Sequence, residues 1–220
     1  MIGSWKLAPL AISVFILGMI LLTSGCGSGS TQVRLMNAID GQSTVNLLVN
    51  NSAVASGVAF GTASGYASAP SGSQQIQVQA GNVPLLNVNA TISGGNNNTI
   101  LATDSGVTVL TDNKATPSSG NIQIRAINAS GSILPTADVY IVPAGTSDLS
   151  TFSPDATLTF PAASQYVTKA AGSYQIEFTQ TGSKMVSINS GSLSFSAGQI
   201  RTVVSLDANG GETTVLSDLN

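Results

Sequence analysis

The side chains that usually perform acid–base or nucleophilic chemistry are few in this sequence, and one type is missing. None of the 220 residues is histidine, which removes the usual general base at neutral pH, the commonest zinc ligand and the histidine-dependent nucleophile triads. Two carboxylates could still serve glycoside hydrolysis, and the C-terminal half offers Asp138, Asp148, Asp155 and Glu177. Their spacing singles out no pair, so we expect surface or turn roles and predict no catalytic residue.

The sequence also contains no pattern that predicts a bound metal or cofactor. Calcium loops need an Asp-x-Asp-x-Asp-Gly run, which does not occur here. Residues 94–98 form a Gly-Gly-Asn-Asn-Asn cluster, which is typical of a turn, since no Gly-Lys-Ser run or helix pattern accompanies it. We therefore predict no cofactor and no metal ligand.

Two arginines recur at equivalent positions and favour a structural role. Arg34 and Arg125 lie in matching strand patterns, and the next predicted strand of each half offers Asn46 or Asp138. We predict the cross-strand pairs Arg34–Asn46 and Arg125–Asp138, the second as a charge-assisted hydrogen bond. The alternative is a ligand-binding arginine in each half.

Tyr66 and Tyr166 are also equivalently placed in the two halves. We expect them to pack against strands rather than to form a platform for sugars.

The single cysteine, Cys26, follows an N-terminal export signal. A continuous apolar run from residue 7 to 22 stands behind one cation, Lys6, and it is shorter than the roughly 20 residues of a membrane-spanning helix. The run ends in Leu-Leu-Thr-Ser-Gly before Cys26, which resembles the lipobox of bacterial lipoprotein precursors. The resemblance implies removal of residues 1–25 and lipidation of Cys26, whose acyl chains would anchor the chain to a membrane.

Two alternatives for this segment stay open: an uncleaved anchor helix, and a secreted protein with a free thiol. Residues 26–31 are rich in Gly and Ser, which predicts a flexible tether. Gly27 in place of aspartate resembles sorting to the outer membrane. With one cysteine, no intramolecular disulfide can form.

Charge argues against nucleic acid as a partner. Charged residues make up 8% of the chain, the formal net charge is −3 and the sequence pI is about 4.5. The cations are scattered singly along the sequence, with no basic cluster of the kind that binds phosphates.

Blocks of sequence recur in the same order and predict a duplication. A linker of small polar residues and breakers at 113–121 separates the copies, which predicts domains at 32–112 and 122–220. The paired blocks are 32–38 with 123–129, 45–49 with 137–141, 71–78 with 171–178, 99–102 with 202–205, and 108–110 with 214–216.

Within each half the apolar residues alternate with polar ones. Ile76 and Val78 alternate with glutamines, and Tyr174, Ile176 and Phe178 follow the same period of two, which is typical of half-buried strands. Turn sequences are frequent, and no helical period follows the signal, although short helical turns near 147–152 stay open. We predict an all-β chain of two tandem antiparallel β-sandwich domains, immunoglobulin- or transthyretin-like, after an N-terminal signal helix.

The pattern Arg-x-x-Asn-Ala, Ala-Asp-Val-Tyr-Ile, Tyr166 and Ala-Gly-Ser-Tyr-Gln-Ile resembles the bacterial envelope family called domain of unknown function 4397. The resemblance covers residues 32–216 as two copies, and the second fits better because Asp138 and Tyr140 stand where the first copy has Asn46 and Leu48. It implies β-sandwich modules on exported proteins and no established catalytic activity.

Together these features predict a lipid-anchored, non-enzymatic protein of the cell envelope with a binding, adhesion or structural role. Its partners would be the membrane, through the lipid on Cys26, and a protein or glycan ligand. A carbohydrate- or peptide-binding lipoprotein of an outer-membrane system is the alternative, and it should show exposed aromatic residues on one sheet face or between the domains. An acidic-residue hydrolase is a third class, which requires two carboxylates in one concave site.

Overall fold

The structure, a computed structural model, describes residue 3 and residues 30–219. Eight strands form the N-terminal half and ten form the C-terminal half. The first eight are β1 (Gln32–Ala38), β2 (Thr44–Val49), β3 (Ser52–Ala59), β4 (Ala67–Ser68), β5 (Gly72–Ala80), β6 (Val83–Ile92), β7 (Asn97–Thr103) and β8 (Gly106–Asp112). The others are β9 (Asn121–Ala129), β10 (Thr136–Pro143), β11 (Ala156–Thr159), β12 (Ala162–Ala163), β13 (Val167–Ala170), β14 (Gly172–Gln180), β15 (Val186–Asn189), β16 (Leu193–Phe195), β17 (Ile200–Leu206) and β18 (Glu212–Leu219).

The two halves have the same sheet topology. Each half has one sheet that we call inner, with order β4-β1-β7-β8 in the N-terminal half and β12-β9-β17-β18 in the C-terminal half, where β13 also pairs with β9. Each also has an outer sheet, with order β3-β2-β5-β6 or β11-β10-β14-β15, and β16 pairs with β14. The order of the strands is therefore equivalent in the two halves.

Four sheets are therefore stacked face to face, with three apolar layers between them. One apolar cluster lies between the inner and outer sheets of the N-terminal half, and a second occupies the same place in the C-terminal half. A third cluster, the central core, lies between the two inner sheets. It consists of Met36, Ala38, Leu101, Ile127, Ala129, Val204, Leu206 and Leu216.

Burial on both faces explains the composition of the inner strands. In β1 and β7 every residue after the first is buried, whereas buried and partly exposed residues alternate through the middle of β5. A strand with two buried faces needs apolar or fully paired side chains at successive positions. The sequence of β1, Gln-Val-Arg-Leu-Met-Asn-Ala, meets this need because its polar side chains find partners inside the protein.

The prediction of an all-β sandwich fold is confirmed, with one difference in strand direction. β1 pairs parallel with β7, and β9 pairs parallel with β17, while all other strand pairs among the described residues are antiparallel. Parallel neighbours need a long connection rather than a hairpin. Here the chain crosses through the outer sheet between the two strands of each pair.

The first strands of the two inner sheets, β1 and β9, start at the same end of the molecule. At that end, Asn113 Nδ2 donates to Gln123 Oε1 at 2.5 Å, just after β8 and at the start of β9. At the opposite end, Gly61 lies against Leu206, since a Cβ atom on the glycine would be 3.2 Å from the leucine Cδ1. We call the end where β1 and β9 begin the proximal end, and the opposite one the distal end.

No helix forms at 147–152, where the structure has a turn at 150–151, and the described residues contain one 3-10 turn, Ala208–Gly210. Within residue 3 and residues 30–219, no helix has the length and apolar character needed to cross a membrane. Apart from residue 3, the predicted signal peptide lies outside the described residues, and so does Cys26.

Candidate functional site between the two halves

The largest group of buried charges lies where the two inner sheets meet. Arg125 Nη2 contacts Asp112 Oδ1 at 2.6 Å, and Arg34 Nη2 forms the corresponding ion pair with Asp218 Oδ1. Each arginine therefore pairs with a carboxylate of the other half. The aspartate side chains are 0% exposed and the arginine side chains 3% and 4%.

Hydroxyl groups orient each carboxylate. Thr99 Oγ1 and Tyr66 OH donate to Asp112 Oδ2 at 2.6 and 2.7 Å. Thr202 Oγ1 and Tyr166 OH donate to Asp218 Oδ2 at 2.6 and 2.8 Å. Each aspartate is thus oriented by a threonine and a tyrosine of its own half, and it forms its ion pair with the arginine of the other half.

The guanidinium groups also donate further hydrogen bonds, to a threonine hydroxyl and to a backbone carbonyl. Arg125 Nε donates to Thr202 Oγ1 at 3.0 Å, and its Nη1 donates to the carbonyl of Thr111 at 3.2 Å. Arg34 Nε donates in the same way to Thr99 at 2.9 Å, and its Nη1 to the carbonyl of Ser217 at 2.8 Å.

Each guanidinium also lies over a tyrosine ring of its own half, 4.7 Å from the ring centre, in a cation–π contact. We call the eight residues of this arrangement the reciprocal lock. They are Arg34, Tyr66, Thr99, Asp112, Arg125, Tyr166, Thr202 and Asp218.

Burial and neighbouring charges shift the pKa of three groups of the lock. Desolvation by burial raises the pKa of Tyr66 and of Tyr166 well above the ordinary tyrosine value, and the nearby aspartates raise them further. Burial alone would lower the pKa of Arg125, but the raising effects of Asp112, Tyr166 and Asp218 together outweigh it, and the net shift is upward. Two cations balance two anions, and every buried polar side-chain atom of the lock has a partner. The arrangement can hold two sheets together, but it offers no free base or nucleophile.

The predicted pairs Arg34–Asn46 and Arg125–Asp138 are wrong. Asn46 and Asp138 lie on outer-sheet strands, whereas both arginine side chains point away from their own sandwich core toward the other half. Asn46 Nδ2 donates to the carbonyl of Gly81 at 3.0 Å. Asp138 accepts from Thr157 Oγ1 at 2.5 Å and from a backbone N–H of the adjacent turn.

The arginines' partners in the structure, Asp112 and Asp218, were not predicted from the sequence, although their equivalent positions in the two halves could have indicated them. Each stands two residues after the repeated Thr-Val-Leu block of its half. Tyr66 and Tyr166, predicted to pack against strands, instead precede strands and connect an arginine to an aspartate.

The remaining candidate carboxylates have local structural partners. Asp148 accepts from the backbone and hydroxyl of Ser150, which lowers its pKa. Asp155 accepts from the backbone N–H of Ile141 and forms an ion pair with Lys169 at 3.0 Å. Neither group is free in the way that a catalytic acid or base requires.

Glu177 is the exception among the described residues. It is 3% exposed, and its Oε1 accepts from Gln175 at 2.6 Å and from Asn189 at 2.9 Å, while Oε2 has no partner. Desolvation by burial raises its pKa above the ordinary 4.5, although the hydrogen bond from Gln175 acts in the opposite direction.

Two open clefts flank the reciprocal lock at equivalent positions. One, of about 370 Å³, lies beside Arg34 and is lined by residues 62–64 and 214–217. The other, of about 320 Å³, lies beside Arg125 and is lined by residues 109–111 and 163–166. No aromatic side chain of residues 30–219 is exposed, so the aromatic surface expected of a sugar-binding protein is not found there.

No group of three or more Cys, Asp or Glu side chains in the described part of the chain is arranged to hold a metal ion.

Residues 31–140 match the family model described as Domain of unknown function (DUF4397). The chain belongs to the DUF4397 family. The match covers the N-terminal half and continues through β9 into β10, so it contains Arg34, Asp112 and Arg125. One DUF4397 match is found where the sequence predicted two copies, and it ends before most of the C-terminal half.

Among solved structures, the chain is similar to CBMbc, a family CBM26 protein from Eubacterium rectale Amy13K that was crystallised with maltoheptaose. The identity is 10%, the alignment covers 84% of this chain and 95% of the other, and the TM-score is 0.27. No curated protein matches the sequence of the chain.

The lock predicts a large loss of stability when one carboxylate becomes neutral. Replacing Asp112 by Asn should lower the free energy of unfolding by about 3–5 kcal/mol, because buried Arg125 loses its closest counter-charge, at 2.6 Å. Asp104→Asn is the matched control, since Asp104 is exposed in the turn after β7. Urea unfolding of both variants measures the effect, and equal midpoints for the two would contradict the role of the lock.

The unpaired oxygen of Glu177 predicts a pH effect of known sign. Because the pKa is raised in the folded state, the contribution of Glu177 to stability is present below its ordinary pKa of 4.5 and is lost as the pH rises through the raised value. The melting temperature of the Glu177→Gln variant should therefore equal that of the unmodified chain at about pH 4 and be higher at about pH 7. Glu212→Gln, at an exposed position, should show no such divergence. A Glu177→Gln difference that does not change with pH would exclude this mechanism.

Proposed function

We propose that this chain is a lipid-anchored, non-enzymatic protein of the cell envelope, whose stacked sheets serve a binding, adhesion or structural role. The observation that carries the proposal is the position of Cys26. It follows the apolar run and the small residues of the lipobox-like sequence, and the first strand begins at Gln32, six positions later. Lipid on Cys26 would thus hold the folded body directly at a membrane surface.

The geometry of the lock supports the non-enzymatic part of the proposal. The charged groups that lie closest together are used to join the halves, and their hydrogen-bonding capacity is directed inward. A rigid body with two joined sandwiches suits presentation of a surface better than turnover of a substrate. We further propose that the C-terminal half is a diverged copy of the N-terminal half, since its sheets have the same order, and that Gly27 directs the protein to the outer membrane.

Mass spectrometry of the N-terminal peptide from the native protein tests the proposal. We expect residues 1–25 to be absent and Cys26 to carry a diacylglycerol and an acyl chain. Cys26→Ala should abolish the modification and release the protein from the membrane fraction, while Ser28→Ala should do neither. An unmodified Cys26 thiol, or an intact leader, would overturn the proposed anchoring.

A second function, binding of a neutral glycan, is favoured by one surface. From Gly41 to Thr103 the chain has no charged residue, so the outer sheet of the N-terminal half carries none. Its solvent face presents a grid of amides, in which Gln75 Nε2 donates to Asn87 Oδ1 at 3.2 Å and Gln79 Nε2 to Gln77 Oε1 at 2.8 Å. The amide residues of this face are Asn46, Gln75, Gln77, Gln79, Asn87 and Asn89.

A glycan array tests this second function. Uncharged amides pair with sugar hydroxyls without the desolvation cost of ions, so neutral glycans should bind and anionic ones should gain nothing from their charge. Gln77→Lys should remove the binding, and Ser119→Lys, on the exposed connection between the halves, should leave it unchanged. An array without a signal, or binding that Gln77→Lys leaves intact, would eliminate the glycan-binding function.

A further inference from the structure

The charges outside the reciprocal lock are separated between the two ends of the molecule. Three of the four remaining cations of the described residues, Lys114, Lys169 and Arg201, lie at the proximal end. The fourth, Lys184, is at the distal end, where its Nζ donates to Tyr140 OH at 3.2 Å. In the sequence these residues are far apart, and only the fold brings three of them to one end.

The proximal position of each cation follows from its backbone partners. Lys114 is exposed in the connection after β8, and its Nζ donates to the carbonyl of Gly95 at 2.6 Å, in the turn that precedes β7. Lys169 pairs with Ile122, the second residue of β9. Arg201 is the second residue of β17, and its Nη1 donates to the carbonyl of Leu219 at 2.7 Å.

Carboxylates do little to neutralise this end. Among the described residues, no carboxylate forms an ion pair with Lys114 or Arg201, and Lys169 has one partner, Asp155. Asp112 and Asp218 also lie at the proximal end, but they are buried and balanced by the arginines of the lock. Lys114 and Arg201 are therefore the cations of this end that have no ion-pair partner among the described residues.

The distal end has the opposite sign. Four carboxylates lie there, three in turns and one at the start of β18, and three of the four are exposed. Asp40 N–H donates to Asp104 Oδ2 at 3.3 Å, which brings the turns after β1 and β7 together. The four residues are Asp40, Asp104, Asp207 and Glu212.

The position of Cys26 decides which end faces a membrane. Six residues of extended chain reach at most about 20 Å, and Gln32 lies at the proximal end, where it pairs with Asn97. If Cys26 carries lipid, as the proposed function states, the proximal end cannot move far from the headgroups. A tether of that length lets the cations approach the lipid charges to within one Debye length, about 8 Å at physiological salt, where the attraction is not yet screened.

We propose that the proximal end, with Lys114, Lys169 and Arg201, is a docking surface for anionic lipid headgroups. The inference rests on the proposed lipidation and adds an orientation to it. The cations face the membrane, and the acidic distal end and the amide face of the outer sheet remain accessible to partners. Each cation near an anionic bilayer should change the ratio of docked to undocked protein about fivefold.

The test uses the full chain, expressed with its own leader, purified and reconstituted into vesicles. One preparation contains phosphatidylcholine alone, and the other contains about one-third phosphatidylglycerol; both carry a headgroup quencher. A fluorophore is attached through Ser119→Cys at the proximal end or Ser43→Cys at the distal end, both exposed positions. Since lipid occupies the Cys26 sulfur, the label enters at the new cysteine alone.

Docking predicts that the fluorophore at residue 119 is quenched more strongly in anionic vesicles, and that salt near about 1 M removes the difference. The fluorophore at residue 43 should be little quenched in either. Lys114→Glu should reduce the anionic effect at residue 119, and Lys184→Glu, which makes the same charge change at the distal end, should not.

The outcomes separate the two proposals. If the chain floats with neither kind of vesicle, the anchoring is wrong and the docking surface falls with it. If it floats with both but quenching at residue 119 is the same in both, or is insensitive to Lys114→Glu, the anchoring stands and the docking surface is overturned.

Discussion

The structure depends on the pairing of each buried arginine with a carboxylate from the other half. A buried ion pair is stable only when its geometry is good and its remaining polar atoms are satisfied. Here a threonine and a tyrosine fix each aspartate, and the same threonine fixes the arginine of its own half. Each half supplies one cation and one anion, and each arginine lies closer to the aspartate of the other half than to that of its own half. The central core then adds apolar contact on the distal side of the lock.

Much of the fold follows from sequence pattern, and the positions where prediction failed share one cause. The period of two in β5 and β14, the frequent turns and the repeated blocks were enough to predict an all-β chain with a duplicated plan. Those patterns are typical of a single sandwich whose sheets each have one solvent-exposed face. They do not indicate that a sheet is buried on both faces. For this reason the sequence predicted partners for Arg34 and Arg125 within their own sandwich rather than in the opposite half.

The sequence of β1, which does not alternate strictly between polar and apolar residues, was the available sign that this strand is buried on both faces. Asp112 and Asp218 were recoverable from the repeat, since they occupy equivalent positions, but pairing between halves is a long-range property that no local spacing encodes. The same holds for the cationic proximal end. Lys114, Lys169 and Arg201 are single charges in the sequence, and strand pairing with β9 and β18 brings two of them to the end where the connection carrying Lys114 also lies.

Since the lock joins the two halves, they should unfold as one cooperative body. Differential scanning calorimetry of the full chain can show this, because the ratio of calorimetric to van't Hoff enthalpy counts cooperative units. We expect a single transition with a ratio of about one. Two resolved transitions, or one broad transition with an enthalpy ratio of about two, would show that the halves unfold independently and that the lock does not join them.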